Sequence, residues 1–488
     1  MKLQLNTNHY VGLGIVCIYA LLTYFCAENV FFWDTIQQIS REAHWYYESN
    51  FSSLLLAPFS SGLETTGTGY HPPLMGLMTA ALWKLFGQEL WVSHLFAAFW
   101  ACILILQTGK LLRLLFPEKY VPWLLPLLLL ESTVLAQFAI ASPDFILLTA
   151  FVMTVRGILE EKRNLILIGF FFLCAINMRG FFAGIILLAS HMLIYFKGEK
   201  KTSFFSTFMP YLPALLILAS YFTYYFSVRG WFFSDSAYTE HYSLPKGGFP
   251  QIAKQIFAFI LRSVENGRFF IYFLGLFLLV KIMKNKQAGR IDNTSLFLLS
   301  AFLLLSGMYF LFCIISQMPF SGRYFMSQFF LLSLLVFRGL ISYLSPRKLQ
   351  IAFALSLVFF LTGHCWIYPE KISKSWDSTL AHLPYYQLRK DCFDYIEKGG
   401  ISYEEVSAGF CLSGDRRFAE LEHAGKKVGS ELDRSYFIYS NISNLPDDQV
   451  DKFKNEEDWE LVQKFYKWPV FIAIYKNRTK LNQNNNVQ

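Results

Sequence analysis

The sequence predicts a polytopic α-helical membrane protein of about 11 spans that carries a small soluble α/β domain at its C-terminus. Three observations predict it. Of 488 residues, 54% are hydrophobic and only 16% charged, with 51 Phe and 27 Tyr, a balance too apolar for a soluble chain of this length. Apolar runs recur from residue 10 to residue 367, separated by short basic clusters. Beyond residue 368 the sequence turns mixed and polar.

A helix needs about 20 apolar residues to cross a bilayer, so the spans fall at roughly 10–27, 90–112, 121–141, 144–159, 164–178, 181–196, 207–227, 268–284, 295–316, 324–344 and 349–367. Residues 10–27, with Lys2 ahead and Ala27 at the end, have the layout of a signal peptide. The many spans that follow favour an uncleaved first helix. The stretch 73–86 is short, follows Pro72 and carries Lys84, and it reads as a helix lying flat on the surface. Charge decides the point. With that helix flat and the N-terminus cytoplasmic, about 17 Lys and Arg fall inside and about nine outside; a crossing there reverses the totals.

The flat arrangement puts the loops 28–73, 142–144, 179–180, 228–267 and 317–323 on the outer face together with the tail. Residues 1–368 are expected to form the membrane domain, with external loop 28–73 and surface helix 73–86, and residues 369–488 an external α/β domain. In the tail, Arg389–Lys398 reads as a helix, Tyr436–Tyr439 as a strand and 446–458 as a second helix. Leu461–Lys467 and Val470–Tyr475 read as a hairpin around Trp468-Pro469.

The net charge of +8 is scattered between apolar runs rather than gathered in a patch, which excludes nucleic acid as a partner. Cys17, Cys26, Cys102, Cys174 and Cys313 lie within spans and pack as small apolar residues, and no zinc spacing is present. Cys392 and Cys411, in the tail, are candidates for a disulfide if the tail is outside the cytoplasm.

Unusual polar residues collect at the external span ends. Asp34 lies among Phe31, Phe32 and Trp33, where partial desolvation raises a carboxylate pKa. Asp144 follows Ser142-Pro143, a position that suits a helix cap as well as a catalytic acid. His71 precedes Pro72-Pro73, which fix the backbone and start a helix at Leu74. Arg179, in Asn177-Met178-Arg179-Gly180, and Arg323, after Ser321-Gly322, each suit a lipid headgroup or a desolvated phosphate. One phosphate held by His71, Arg179 and Arg323 accounts for all three. Tyr70, Tyr324 and His241 are candidate substrate contacts, His241 within a loop that also holds Trp231, Asp235, Glu240 and Tyr242. Glu131, inside an apolar run, reads as a protonated or hydrogen-bonded packing group, and His94 and His191 as residues satisfied within the bundle.

Taken in order, these residues resemble the GT-C glycosyltransferases that use polyprenyl-phosphate sugars, the superfamily of protein O-mannosyltransferases and lipid A aminoarabinose transferases. The resemblance covers roughly residues 10–345. It rests on Asp34 with Ile39-Ser40-Arg41-Glu42, Tyr70-His71-Pro72-Pro73-Leu74, Phe86-Gly87, Ser142-Pro143-Asp144, Asn177-Met178-Arg179-Gly180 and Gly322-Arg323-Tyr324. It implies that Asp34 matches the first-loop catalytic carboxylate, Asp144 the second external acid and Arg179 a conserved-type cation, usually Lys, and it implies inversion at the anomeric carbon. The chain departs from the aminoarabinose enzymes at Tyr70-His71, where they have Glu-Lys, and at Gln37, where they have Arg. The family's first-loop acidic pair is here Asp34-Thr35.

The expected activity is transfer of a sugar from a polyprenyl-phosphate donor to a hydroxyl on a glycan, lipid or protein, at the outer face of a bacterial cytoplasmic membrane. Asp34 is the expected base. The first loop has no Asp-x-Asp pair, so no cofactor is required, although a divalent metal is compatible. The rivals are a secondary transporter, which should show midplane charges and inverted repeats, and a non-catalytic membrane scaffold whose tail binds partners.

Overall fold

The computed structural model describes residues 7–56, 71–197, 203–230, 248–284, 291–315, 320–369, 372, 375–422, 425–443, 445–454 and 458–480. Tyr70, Trp231, Asp235, Glu240, His241 and Tyr242 lie outside the described residues. Helix α1 (Thr7–Cys26) leads into a first-loop region with a π-helical turn at Ile36–Arg41 and α2 (Glu42–Glu48). Then come α3 (Leu74–Phe86), α4 (Leu90–Leu115), α5 (Val121–Leu129), α6 (Ser132–Ala139), α7 (Pro143–Leu159), α8 (Arg163–Ile176) and α9 (Met178–Lys197). They are followed by α10 (Phe204–Phe208), α11 (Leu212–Arg229), α12 (Gly248–Val264), α13 (Phe269–Lys284), α14 (Asn293–Ile315), α15 (Met326–Tyr343) and α16 (Pro346–Thr362).

Among the described residues, five helices are long and apolar enough to cross a membrane, or seven if each bent pair is one span. By that measure the about 11 spans expected from the sequence are not all reproduced. α8 and the described apolar part of α1 are shorter helices, which cross only where the bilayer thins or flanking residues snorkel.

Two readings of the sequence are corrected. The run 121–141 is not one straight span: α5 and α6 meet at 56°. Glu131 is the reason. Its carboxylate accepts the Thr133 and Val134 N–H groups at 3.1 and 3.0 Å and so caps a new helix. Glu131 is buried and hydrogen-bonded, as the sequence suggests, but it stands at a helix start and not in mid-span. The loop 228–267 in turn contains α12, which meets α13 at 92°. Asn266 and Gly267 turn that corner with φ of 59° and 84°. A Cβ on Gly267 would lie 2.0 Å from the Phe359 carbonyl, so the corner needs glycine both for its backbone and for the close approach.

The main apolar core runs between α4, α7, α8 and α15, with Leu104, Phe151, Phe170 and Leu331 fully buried. The tail forms a four-stranded sheet in the order β1-β4-β6-β5, from β1 (Val406–Ala408), β4 (Tyr436–Ser440), β5 (Trp459–Lys467) and β6 (Val470–Asn477). β1 and β4 run parallel and the other pairs antiparallel; β2 (Gly414–Asp415) and β3 (Lys427–Val428) form a separate ladder. Helices α17 (Pro384–Lys398), α18 (Arg417–Glu420) and α19 (Asp447–Lys454) accompany the strands. Helix α17 packs Leu388, Phe393 and Ile396 against Ile438, Ile472 and Ile474. The same core takes in Phe32 and Ile140, so residues 32 and 140 of the helical region are packed with the tail. Cys392 and Cys411 are buried free thiols in that core, and the disulfide considered from sequence is not formed.

Candidate active site

Asp34 is presented by a tight turn. Thr35 Oγ1 accepts the Phe32 N–H at 2.8 Å and donates to the Phe32 carbonyl at 2.7 Å. Trp33 takes a left-handed φ of 53°, uncommon for a bulky residue. Phe32 is fixed from behind by stacking on His382, with ring centroids 5.0 Å apart. The Asp34 carboxylate then remains 30% exposed while Phe32 and Thr35 beside it are buried.

Asp144 sits in the first turn of α7. Ser142 caps that helix by accepting the Asp144 N–H at 3.1 Å, with Pro143 in the first position. Arg179 sits in the first turn of α9, where Asn177 Oδ1 accepts the Gly180 N–H at 3.0 Å. A Cβ on Gly180 would stand 2.3 Å from the Leu173 carbonyl, so glycine lets α8 and α9 close up and aim Arg179 inward. Arg323 follows Ser321, which caps a 3-10 turn over Gly322–Phe325.

These elements bring Asp34, Asp144, Arg179 and Arg323 together. Arg179 pairs with Asp144 at 3.0 Å and lies 4.0 Å over the Tyr324 ring, a cation–π contact. Arg323 turns a different nitrogen to each of three carboxylates: Nη2 donates to Asp34, Nε faces Asp144 at 3.4 Å and Nη1 pairs with Asp377 at 2.9 Å. Burial alone would push the Asp34 carboxyl upward, but the Arg323 and Arg179 charges and the Arg323 hydrogen bond outweigh it. The carboxyl is held below its ordinary value, the opposite of what its aromatic surroundings led us to expect.

His71 stands at the rim. Its Nδ1 accepts the Met178 N–H at 3.4 Å and its carbonyl accepts the Tyr221 hydroxyl at 3.3 Å. Burial first, and Arg179 second, push the imidazole down to about 3 against a smaller pull from Asp34. It is neutral at pH 7, so it offers an N–H on Nε2 rather than a charge. Glu42 packs against Gly76 in the helix that follows His71. Burial pushes the Glu42 carboxyl well above its ordinary value, while its hydrogen bond from the Gly76 N–H, in the first turn of α3, opposes the rise.

Asp377 is the residue that sequence reasoning missed. It lies between α16 and α17, far along the chain from the other members, in a Ser375-Trp376-Asp377-Ser378 string with no recognisable motif. Its carboxylate accepts the Ser321 hydroxyl at 2.8 Å, and Gln137 Nε2 donates to its carbonyl at 2.6 Å.

A cavity of about 20 Å³ lies between Asp144, Arg179, Tyr309, Arg323 and Tyr324, with room for about one water. A larger one of about 230 Å³ opens at the opposite ends of α7 and α9, near Arg163, His191 and Ser206, remote from the carboxylates. Among the described residues, no group of three or more His, Cys, Asp or Glu is arranged to hold a metal ion.

The chain matches no protein-family model and no curated protein. Among solved structures it resembles ArnT from Cupriavidus metallidurans in the apo state, at 11% identity and a TM-score of 0.53, over 95% of this chain and 97% of that one. ArnT from the same organism bound to undecaprenyl phosphate matches over the same shares, at 11% identity and a TM-score of 0.49. The first likeness establishes the fold: the chain shares the overall architecture of ArnT.

Proposed function

We propose that this chain is an inverting glycosyltransferase that moves a sugar from a polyprenyl-phosphate donor to a hydroxyl acceptor at the outer face of the cytoplasmic membrane. The observation that carries the reading is the convergence of Asp34, Asp144, Arg179 and Arg323 at one end of a helical fold like that of ArnT. The order of the same residues in the sequence supports it independently.

In this reading Asp34 takes the proton of the acceptor hydroxyl. The oxygen attacks the anomeric carbon, the bond from that carbon to the phosphate oxygen breaks, and its electron pair leaves with polyprenyl phosphate. Arg179 and Arg323 stabilise the charge that grows on the phosphate, and His71 adds a neutral hydrogen bond. A phosphate is already a good leaving group, so no general acid is needed and the proposed steps use no metal ion. Asp144 aligns the two arginines, and Tyr324 backs Arg179. Tyr70 and His241 remain candidate substrate contacts, and the acceptor is a glycan, lipid or protein in the envelope.

Buried charge at helix breaks also suits a secondary transporter. The Glu131–Arg268 pair lies at such breaks, but Thr133, Val134 and Gly322 also bond to it, and both side chains are sealed from solvent. The pair is built to stay closed.

The test is transfer by the purified chain in nanodiscs from a panel of radiolabelled polyprenyl-phosphate sugars. Mass spectrometry of lipid-linked sugars in a deletion strain selects the panel. Transfer of label to a hydroxyl acceptor is expected, and accumulation of no lipid-linked sugar together with no transfer from any donor would reject the reading. A cysteine at position 86 should react with an impermeant reagent from outside, and reaction from the cytoplasm alone would overturn the sidedness.

A further inference from the structure

We infer that Asp377, carried by the segment leading into the C-terminal domain, is a positioning residue for the donor phosphate: with Asp144 it anchors Arg323, while Asp34 is the partner that the phosphate displaces. The inference rests on the polyprenyl-phosphate reading and adds to it an order of events and a role for the tail.

The three carboxylates around Arg323 are not equivalent. Asp377 and Asp144 are 5% and 7% exposed, against 30% for Asp34. Asp377 is held from three sides, by Arg323, by the Ser321 hydroxyl and through its carbonyl by Gln137. Asp144 is held by Arg179 as well as Arg323, at a capped helix start. Asp34 is at the open edge, bonded to Nη2 of Arg323. An arriving ligand reaches Asp34 first and finds the other two fixed.

Charge makes displacement necessary. Three carboxylates face two guanidiniums, Arg179 and Arg323, so the resting cluster carries one excess negative charge. A phosphate added to that set is repelled unless a carboxylate withdraws from the guanidinium it takes. Its oxygens fit the Nη2 edge that Asp34 occupies, and Arg323 stays in place because Asp377 keeps Nη1. The displaced Asp34 has lost the cation that stabilised its charge and is a stronger base for the acceptor hydroxyl. Donor binding and base activation thus become one event, and the base is held inactive while the site is empty.

Neutralising the carboxylates separates the roles by sign. The measurement is the Kd of sugar-free undecaprenyl phosphate for the full-length chain in nanodiscs. Asp34→Asn removes the competitor and should tighten binding by about tenfold. Asp377→Asn removes the anchor, lets Arg323 close onto Asp34 and should weaken binding by about tenfold. Asp377→Glu keeps the charge and should restore affinity to within about threefold of native. Tightening in both neutral variants would overturn the inference, because it would mean that only net charge matters. If Asp377→Asn does not fold, Ser321→Ala, which removes the hydroxyl holding Asp377, should weaken binding in the same direction. Native or tighter binding there overturns the anchor as well.

Reaction of Arg323 with phenylglyoxal, read by peptide mass spectrometry, gives the same comparison without any lipid. Asp34→Asn should accelerate modification and Asp377→Asn should not; equal acceleration in both overturns the anchor. A native chain that binds no undecaprenyl phosphate would reject the glycosyltransferase reading, while the phenylglyoxal pattern would still decide the role of Asp377.

Discussion

Two buried arginine–carboxylate clusters meet at Gly322-Arg323, and they are built in opposite ways. Glu131 and Arg268 are 3% and 0% exposed and paired one to one at 2.8 Å. Glu131 also caps α6, and Arg268 Nη1 donates to the Gly322 carbonyl at 2.7 Å, with its guanidinium 5.1 Å over the Phe329 ring. The neighbouring cluster has carboxylates in excess and a partly exposed Asp34. A buried guanidinium nitrogen without a hydrogen-bond partner among the described residues does not separate the two, since Arg179 Nε is one and Arg268 Nη2 another. Chemically similar groups thus serve two ends. A balanced, enclosed pair lies at the bends between helices, whereas the unbalanced, partly exposed set is where the proposed phosphate would bind.

The largest expected effect is at the open cluster. Asp34→Asn should reduce transfer by about 10³-fold or more, with the thermal midpoint of the purified protein unchanged within a few degrees. Turnover at the native rate would remove Asp34 from the role of base. It would also erase the functional distinction between the two clusters.

That distinction was half legible in the sequence. Asp34, Asp144, Arg179 and Arg323 each stand beside a local device, namely an aromatic turn, Ser-Pro, Asn-Met and Ser-Gly, so span ends marked them out. Their meeting follows from which face each helix end occupies, and the positive-inside count reads all four onto one face. Asp377 carried no such mark. Its place depends on the tail folding back so that Trp376 and Tyr385 pack with Phe32, a contact set by tertiary packing and not by any periodicity.

Glu131 carries a signal for the helix break as well as for a buried, hydrogen-bonded acid. Glu-Ser-Thr inside an apolar run is a helix start as much as an intramembrane charge, and the cap and 56° bend follow from the former. α12 is legible too, since Ile252, Ile256, Phe259 and Ser263 recur at helical spacing within the loop 228–267.

The closed pair should show its effect in stability. Glu131→Leu leaves Arg268 buried without its counter-ion and should cost about 3–5 kcal/mol, read as a loss of thermal midpoint in detergent with little folded protein recovered. Glu131→Leu combined with Arg268→Met removes both charges and should recover more than half of that loss. A single variant as stable as native would mean that water reaches the pair, and the cluster would no longer count as closed.

Smaller again is the effect of Arg179→Ala. It removes one of two guanidiniums and the cation over Tyr324, and should weaken undecaprenyl-phosphate binding by about 10- to 100-fold. Equal affinity in a binding titration would move the phosphate off Arg179 and onto Arg323 alone.

The smallest expected effect tests the rim through pH. His71 is buried neutral, with a folded-state value of about 3 against an ordinary value of 6.5. Between those values the unfolded chain binds a proton that the folded chain does not, so stability is complete above about pH 6.5 and falls as the pH drops toward 3. The slope from one such group is at most about 1.4 kcal/mol per pH unit. Asp34, held below its ordinary value, acts in the same direction at the acid end of that range. His44 and His382, both pushed down mainly by burial, have the same sign as well. His71→Gln, which keeps an acceptor for the Met178 N–H, should therefore flatten the dependence of thermal midpoint on pH below 6.5 without abolishing it. An unchanged slope would mean that His71 is hydrated and charged in the folded chain, a cation at the rim of the open cluster in place of a neutral donor.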